Sequence, residues 1–529
     1  MSSLGKRAAL WTASVIASTA GFAVGCGGPS ADSPNSPALA RAGTESESET
    51  ESAAAVEADA AADARAAFAV EMGDLDRTTD WPMFLGPHGT GVSNESGFAD
   101  AWPKDGPPIV WSREIGTGYG APSVRGDRLI IHHRVFDATS SDEIVECLDA
   151  GTGESLWKFA YPSRFRDPFG YNAGPRCSPL LSENHCFTLG AEGKLACVTL
   201  DKGEKVWMRD LQREFDLPDW FFGVGCSPIL EDGKLIVLIG GRASSGVVAF
   251  DPATGKTLWK SVGRETWEGV ATGWPHMPRY EWADGEQIVS YASPIAATIH
   301  GKRHLLCLMR QGLVSLDPAD GRVRFAYFFR SRDPESVNAP RPLVIDDKVF
   351  ITAAYGVGSA LLKVDEDGDG FEVVWRDARN MLAHWSTPLH VDGHIYGFSG
   401  RHENEGELRC LDAKTGKVVW STTGFEGDIG RLRFDERTGR PVDPAGDPIP
   451  FPFYGRGSKI RAGDKFIVLG ERGTLALVKA APAKWEELAR TSYRQIGHPA
   501  WTAPVLSSGR LYLRDEDALI CLELPKAAE

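Results

Sequence analysis

Asp365-Glu366-Asp367-Gly368-Asp369-Gly370 carries carboxylates at alternate positions followed by glycine. This is the first half of an oxygen-rich loop in which Asp365, Asp367 and Asp369 would converge on a hard cation such as Ca²⁺. The closing bidentate acid is missing, because Arg376 stands in its place, and Asp and Gly are also the ordinary residues of a solvated turn. Both readings stay open. The cysteines contain no adjacent pair, no CxxC and no paired Cys/His spacing, which gives no support for zinc or haem ligation. Cys147, Cys197, Cys410 and Cys521 fall in apolar strand stretches and read as buried core thiols. Cys177 and Cys226 each stand immediately before Ser-Pro, where they would either pair in an oxidising compartment or stay buried as thiols.

The elements that position these residues are a repeat. LDAKTGKVVW (411–420) reads as a β-hairpin whose Gly416 supplies the positive φ of a tight turn, and related words recur at 148–157, 200–207, 250–259, 316–325 and 364–375. A second marker, a small residue followed by proline, precedes each: Ala121-Pro122, Ser178-Pro179, Ser227-Pro228, Ser293-Pro294, Ala339-Pro340, Thr387-Pro388 and Ala503-Pro504. An unmarked repeat opening at Ser458-Lys459 fills the long interval between Pro388 and Pro504. Each repeat reads as four strands, the last ending on an aromatic: Trp111, Trp157, Trp207, Trp259, Phe325, Trp375, Trp420 and Trp485. The expected fold is all-β, an eight-bladed β-propeller of four-stranded antiparallel blades. Trp111 has no repeat before it and the last repeat stops short of its Trp strand, so the N-terminal strand should complete the C-terminal blade and leave no open edge. The repeated Trp is expected to pack between blades rather than to bind ligand.

A propeller of this kind places the residues just before each Pro marker around a channel mouth. Arg176, His384, Trp385, His498 and Trp501 occupy such positions, with Tyr119, Tyr291 and Asn338 equivalent by repeat. Arginine and aromatic side chains at a concave mouth suit an anionic or planar ligand, a protein partner, or plain rim packing. Two insertions interrupt the rhythm and should form loops on a face. Residues 264–285 carry Trp267, Trp274, His276, Tyr280 and Trp282, and 424–454 is charged and then Pro-rich; these are the candidate partner loops.

The ends of the chain differ from its body. Lys6 and Arg7 precede an acid-free apolar run, a secretory leader over 1–26. Its close, Ala23-Val24-Gly25-Cys26, resembles a bacterial lipobox with Cys26 as the lipid-modified residue, although such boxes usually carry Leu where Ala23 stands. Residues 27–77 are rich in Ala, Ser, Pro and acid and are expected to form a disordered tether, leaving 78–529 for the propeller. A net charge of −15 disfavours nucleic acid as partner.

The LDAxTGxxxW repeat, its eight-fold count, the leader and the opening Trp81-Pro82-Met83-Phe84-Leu85-Gly86-Pro87 together resemble the pyrroloquinoline-quinone-like β-propeller repeat family, in particular its BamB-like non-enzymatic branch. Leu85 departs from the Arg usual in that opening. In the quinoprotein dehydrogenases of the superfamily the resemblance implies a quinone in the central funnel beside Ca²⁺, an Asp base, and often a disulfide between adjacent cysteines. No such cysteine pair occurs, and no Glu, Asn and Asp calcium set is assignable by motif. In the BamB-like branch it implies a scaffold holding a protein partner. The expectation is an exported, lipid-anchored, monomeric propeller acting as a protein-binding or assembly scaffold at the cell envelope, with no catalytic residue and no cofactor. A quinone- and Ca²⁺-dependent dehydrogenase of an alcohol or sugar is the alternative, and a carbohydrate-binding propeller a third.

Overall fold

The computed structural model describes residues 72–136, 141–217, 222–242, 244–272, 279–280, 288–427, 431–437, 441–449 and 451–527. Cys26, the leader and the tether up to residue 71 lie outside them. Eight antiparallel blades form a β-propeller. Blades 1 to 7 follow the chain at 123–162, 180–210, 229–261, 295–328, 343–377, 389–422 and 458–492. Their inner hairpins turn on pairs such as Asp392 (φ 47°) with Gly393 (φ 76°), the left-handed combination that a two-residue type I′ turn requires. The second and third strands, such as Leu235–Ile239 against Val247–Phe250, are apolar on both faces because a neighbouring blade covers each. Blade 8 uses both ends of the ring: Val505–Ser507, Arg510–Arg514 and Ala518–Glu523 supply three strands and Ile109–Glu114 the fourth, with Trp111 opposite Cys521. The closure expected from the phase of the two markers is thus the observed one.

One contact, repeated, joins the blades. Trp111, Trp157, Trp207, Trp259 and Trp375 each donate Nε1–H to a backbone carbonyl of the next blade, those of Ala150, Leu200, Pro252, Pro318 and Ala413, at 2.8–3.2 Å. Each ring lies over the glycine of that blade's outer hairpin. A Cβ added at Gly203, for example, would stand 2.3 Å from the Trp157 ring, and its φ of +69° already excludes most side chains. Where the hairpin changes, the contact is lost. Trp420 faces the turn at Lys479-Ala480-Ala481-Pro482, which has no glycine, and its Nε1 has no hydrogen-bond partner among the described residues.

The expectation for Trp485 is corrected. It precedes its strand, Glu487–Ser492, and packs, like Trp420, against the core between blades 6 and 7; the residue in the Trp register is Ala489, opposite Leu477 at the same bulge that sets Trp420 opposite Cys410. The next blade explains the substitution. Blade 8 draws its outer strand from the N-terminal part of the chain, so it has no outer hairpin for an indole to cover.

The opening segment is part of the ring's interior. Trp81 pairs with Val124 of blade 1 (3.0 and 2.9 Å), Pro82 O accepts from Leu181 N of blade 2, and Gly91 O accepts from Arg461 N of blade 7. Arg341 of blade 5 donates to Gly89 O at 2.7 Å and to Phe84 O at 3.3 Å. A segment touching blades 1, 2, 5 and 7 has to cross the channel. Gly89 is required there, since its φ is +64° and a Cβ would stand 2.1 Å from Arg341. Arg341 is buried and held by main-chain carbonyls rather than by an acid, and burial lowers its pKa to about 10.

Candidate functional site

Above this plug the channel opens as a funnel of about 340 Å³, with Phe84 and Leu85 among its lining residues. Arg176, His384, Trp385 and Trp501 all line it, together with Tyr119 and Tyr291. His498 does not; it stands at the side of the wall, 3.7 Å from Glu471. Asn338 is structural, donating its amide to Met309 O and Phe329 O. The rings form a collar: Trp501 lies 5.2 Å from Trp385, 5.2 Å from Tyr119 and 5.5 Å from Tyr171, and His384 continues it to Tyr355 at 5.4 Å.

Sequence reasoning missed Tyr171, Phe222, Tyr355, Arg401, His402, Arg456 and Lys459. The first two sit on irregular connections between blades, whose course no periodicity reveals. Arg456 and Lys459 flank Ser458, the start of the unmarked repeat, and that marker was the signal available.

Charge in the wall is arranged in pairs. Arg176 meets buried Asp167 at 2.6 Å, and Arg401 meets Asp333 at 3.1 Å while lying over the Tyr355 ring. Arg456 pairs with Glu471 and stacks on Trp385. Burial would raise the Glu471 pKa, yet hydrogen bonds from His498, Arg456 and Trp501 hold it at about 2. His384, desolvated and facing Arg456 and Arg401, falls to about 3 and is neutral. The acids of these pairs stand behind the wall. Among the residues lining the funnel there is no Asp, Glu, Asn or Gln.

That wall tests the cofactor the resemblance implies. A planar anion would find rings and cations there. Ca²⁺ would need several carboxylate, amide or carbonyl oxygens; the wall offers no acid or amide side chain, and the carboxylates behind it are held by arginines. The residues therefore do not fit a quinone–Ca²⁺ pair, nor place a free carboxylate as base.

The acidic turn is an interblade contact. Asp369 faces Arg324 at 3.1 Å, Lys302 at 3.3 Å and Arg322 at 3.5 Å, all on blade 4, and Asp367 Oδ1 accepts from Asp369 N. Among the described residues no three His, Cys, Asp or Glu side chains are grouped to hold a metal, Asp365, Asp367 and Asp369 included. The eight cysteines from Cys147 to Cys521 are buried free thiols, Cys177 and Cys226 among them.

The first insertion gives a correction. Trp267 is 3% exposed, on a 3₁₀ turn packed into the core of blades 3 and 4, and is not available to a partner. Tyr280 accepts from Arg330 at 2.5 Å, and its ring lies under the same guanidinium. Trp274, His276 and Trp282 lie outside the described residues. In the second insertion Arg433–Phe434 pairs with Pro441–Val442, and Phe434 is exposed.

Known structures share this architecture. The quinohemoprotein alcohol dehydrogenase of Comamonas testosteroni aligns over 89% of this chain and 85% of its own, with a TM-score of 0.56 and 14% identity, a likeness of fold alone. BamB from Moraxella catarrhalis aligns over 80% of this chain and 99% of its own, with a TM-score of 0.47 and 13% identity. Among curated proteins none matches significantly. A family model does: residues 141–423, more than half of the chain, match the family described as outer membrane protein assembly factor BamB. The chain, with its eight-fold repeat and its closure, belongs to this BamB-like family of PQQ-type propellers.

Proposed function

We propose that the protein is an exported, lipid-anchored propeller that serves as a protein-binding or assembly scaffold at the cell envelope, seating a segment of its partner in the funnel. The observation that carries this is the wall itself: Trp, Tyr and Arg with no acid, in a chain of net charge −15. Those residue types dominate binding hot spots. Each arginine is fixed by a carboxylate and lies over or beside a ring, so little side-chain freedom is lost when a partner docks. The family's description as an assembly factor agrees with a partner-holding role. The apolar leader ending at Cys26 supports the anchor.

A photo-crosslinking residue placed at Tyr171 or His402, on the funnel wall, should yield one discrete protein adduct in the envelope fraction. Trp385→Ala and Trp501→Ala should remove it, and Cys26→Ser should release the protein from membranes. In parallel, the purified protein is titrated with pyrroloquinoline quinone and Ca²⁺, followed by Trp fluorescence and dye-linked alcohol or sugar oxidation. Saturable binding with turnover overturns the scaffold reading.

A further inference from the structure

Seven of the eight inner strands follow directly on a proline, at 122, 179, 228, 294, 342, 388 and 504. The eighth opens with Lys459. This lysine lines the funnel and is only 2% exposed. Its Nζ lies 3.5 Å from Thr387 O and 5.8 Å from the centre of the Phe398 ring, at the seam of blades 6 and 7, and it makes no ion pair among the described residues. The three arginines of the wall each have a carboxylate. Lys459 has none. A buried ammonium without a counter-charge is strongly unfavourable, and proline fills this slot elsewhere without that penalty. An anion set beneath the aromatic collar would supply the counter-charge that Lys459 lacks among the described residues.

We propose that the funnel takes the carboxylate terminus of an aromatic or apolar chain, the carboxylate seated on Lys459 and the body against Trp385, Trp501, Tyr119 and Tyr355. The proposal rests on the funnel being the partner-binding site and names what it recognises. A free aromatic acid and the C-terminus of a peptide share this chemistry. Burial pushes the Lys459 pKa down to about 7, so the cation that holds the carboxylate is lost as pH rises through that value. The charges around it do not follow. From blade 6 His384 titrates near 3, from blade 7 Glu471 near 2 beside Arg456, and from blade 5 Arg341 near 10, while the Arg401–Asp333 pair closes the far wall. Lys202, exposed and far from the funnel, serves as the control.

The test uses the full chain in detergent, with 3-phenylpropionate and a Phe-terminated pentapeptide as probes, each against its amide, by calorimetry and Trp quenching. The acids should bind at least about tenfold tighter than the amides, with affinity falling about tenfold per pH unit from 7 to 9. Lys459→Met should erase both the preference and the pH slope, and Lys202→Met, on the exposed outer hairpin of blade 2, should keep them. A peptide binding tighter than the small acid assigns the ligand to a protein terminus; the reverse assigns it to a free acid. Equal binding of acid and amide, or a flat pH profile, overturns the proposal on the unmutated protein. A preference that survives Lys459→Met does so as well. A wall crosslink that persists without any carboxylate preference leaves the scaffold reading standing alone, and a preference without any crosslink leaves the anion site alone.

Discussion

Replacing Glu471 by glutamine removes one charge from behind the funnel wall while keeping the side chain's shape. Glu471 is fully buried and accepts hydrogen bonds from Arg456, including its backbone N at 3.0 Å, and from Trp501 Nε1 at 2.8 Å. A carboxyl that titrates at about 2 in the folded protein and near 4.5 when unfolded contributes about 3 kcal/mol at neutral pH. That agrees with the ~3–5 kcal/mol cost of removing one partner from a buried ion pair. Because the folded pKa is depressed, the contribution is complete above pH 4.5 and is lost as pH falls through 4.5 towards 2. Urea unfolding of the unmutated protein and Glu471→Gln should therefore differ by about 3 kcal/mol at pH 7 and by about 1.5 kcal/mol at pH 3, the two curves converging further in acid. A gap that is the same at pH 7 and pH 3, or below about 1 kcal/mol at pH 7, would refute the claim that this pair's charge organises the wall.

The seam contact can be tested with two glycines. Gly203→Ala forces both a left-handed alanine and a collision with Trp157, and should cost about 3–5 kcal/mol, whereas Gly393→Ala, at φ +76° with nothing near its Cβ, should cost only about 1–2 kcal/mol; equal urea midpoints would disprove the indole-over-glycine packing. Arg341→Met removes the donor to Gly89 O and Phe84 O and should loosen the plug, seen as faster amide exchange across 84–89 with blade 3 unchanged. Deleting Ile109–Glu114 exposes the edge of Ala518–Glu523, and the product should self-associate on size exclusion; a well-behaved monomer would show that closure is dispensable.

The repeat written into the chain determined the blades. Pro markers, LDAxTG turns and Trp-ended strands are local requirements on φ, hydrogen bonding and burial, so every blade except the seventh carries at least one of them in its own residues, and the phase of the two markers even fixed how the ring closes. The funnel residues Arg176, His384, Trp385 and Trp501 were legible because they inherit their position from the strand that follows.

What only the tertiary structure decided depends on neighbours distant in sequence. Ala489 replaces tryptophan because the adjoining blade lacks a hairpin, a fact about the other end of the chain. Trp267 looked like a loop residue and is core, since the turn that carries it folds back onto two blades. Asp369 answers to three cations of the preceding blade, not to its own neighbours in the turn. Whether a cation is already neutralised is likewise a distance between segments that sequence leaves apart: Arg401 finds Asp333 and Arg456 finds Glu471, while Lys459, in the slot where every other blade has proline, finds no acid among the described residues.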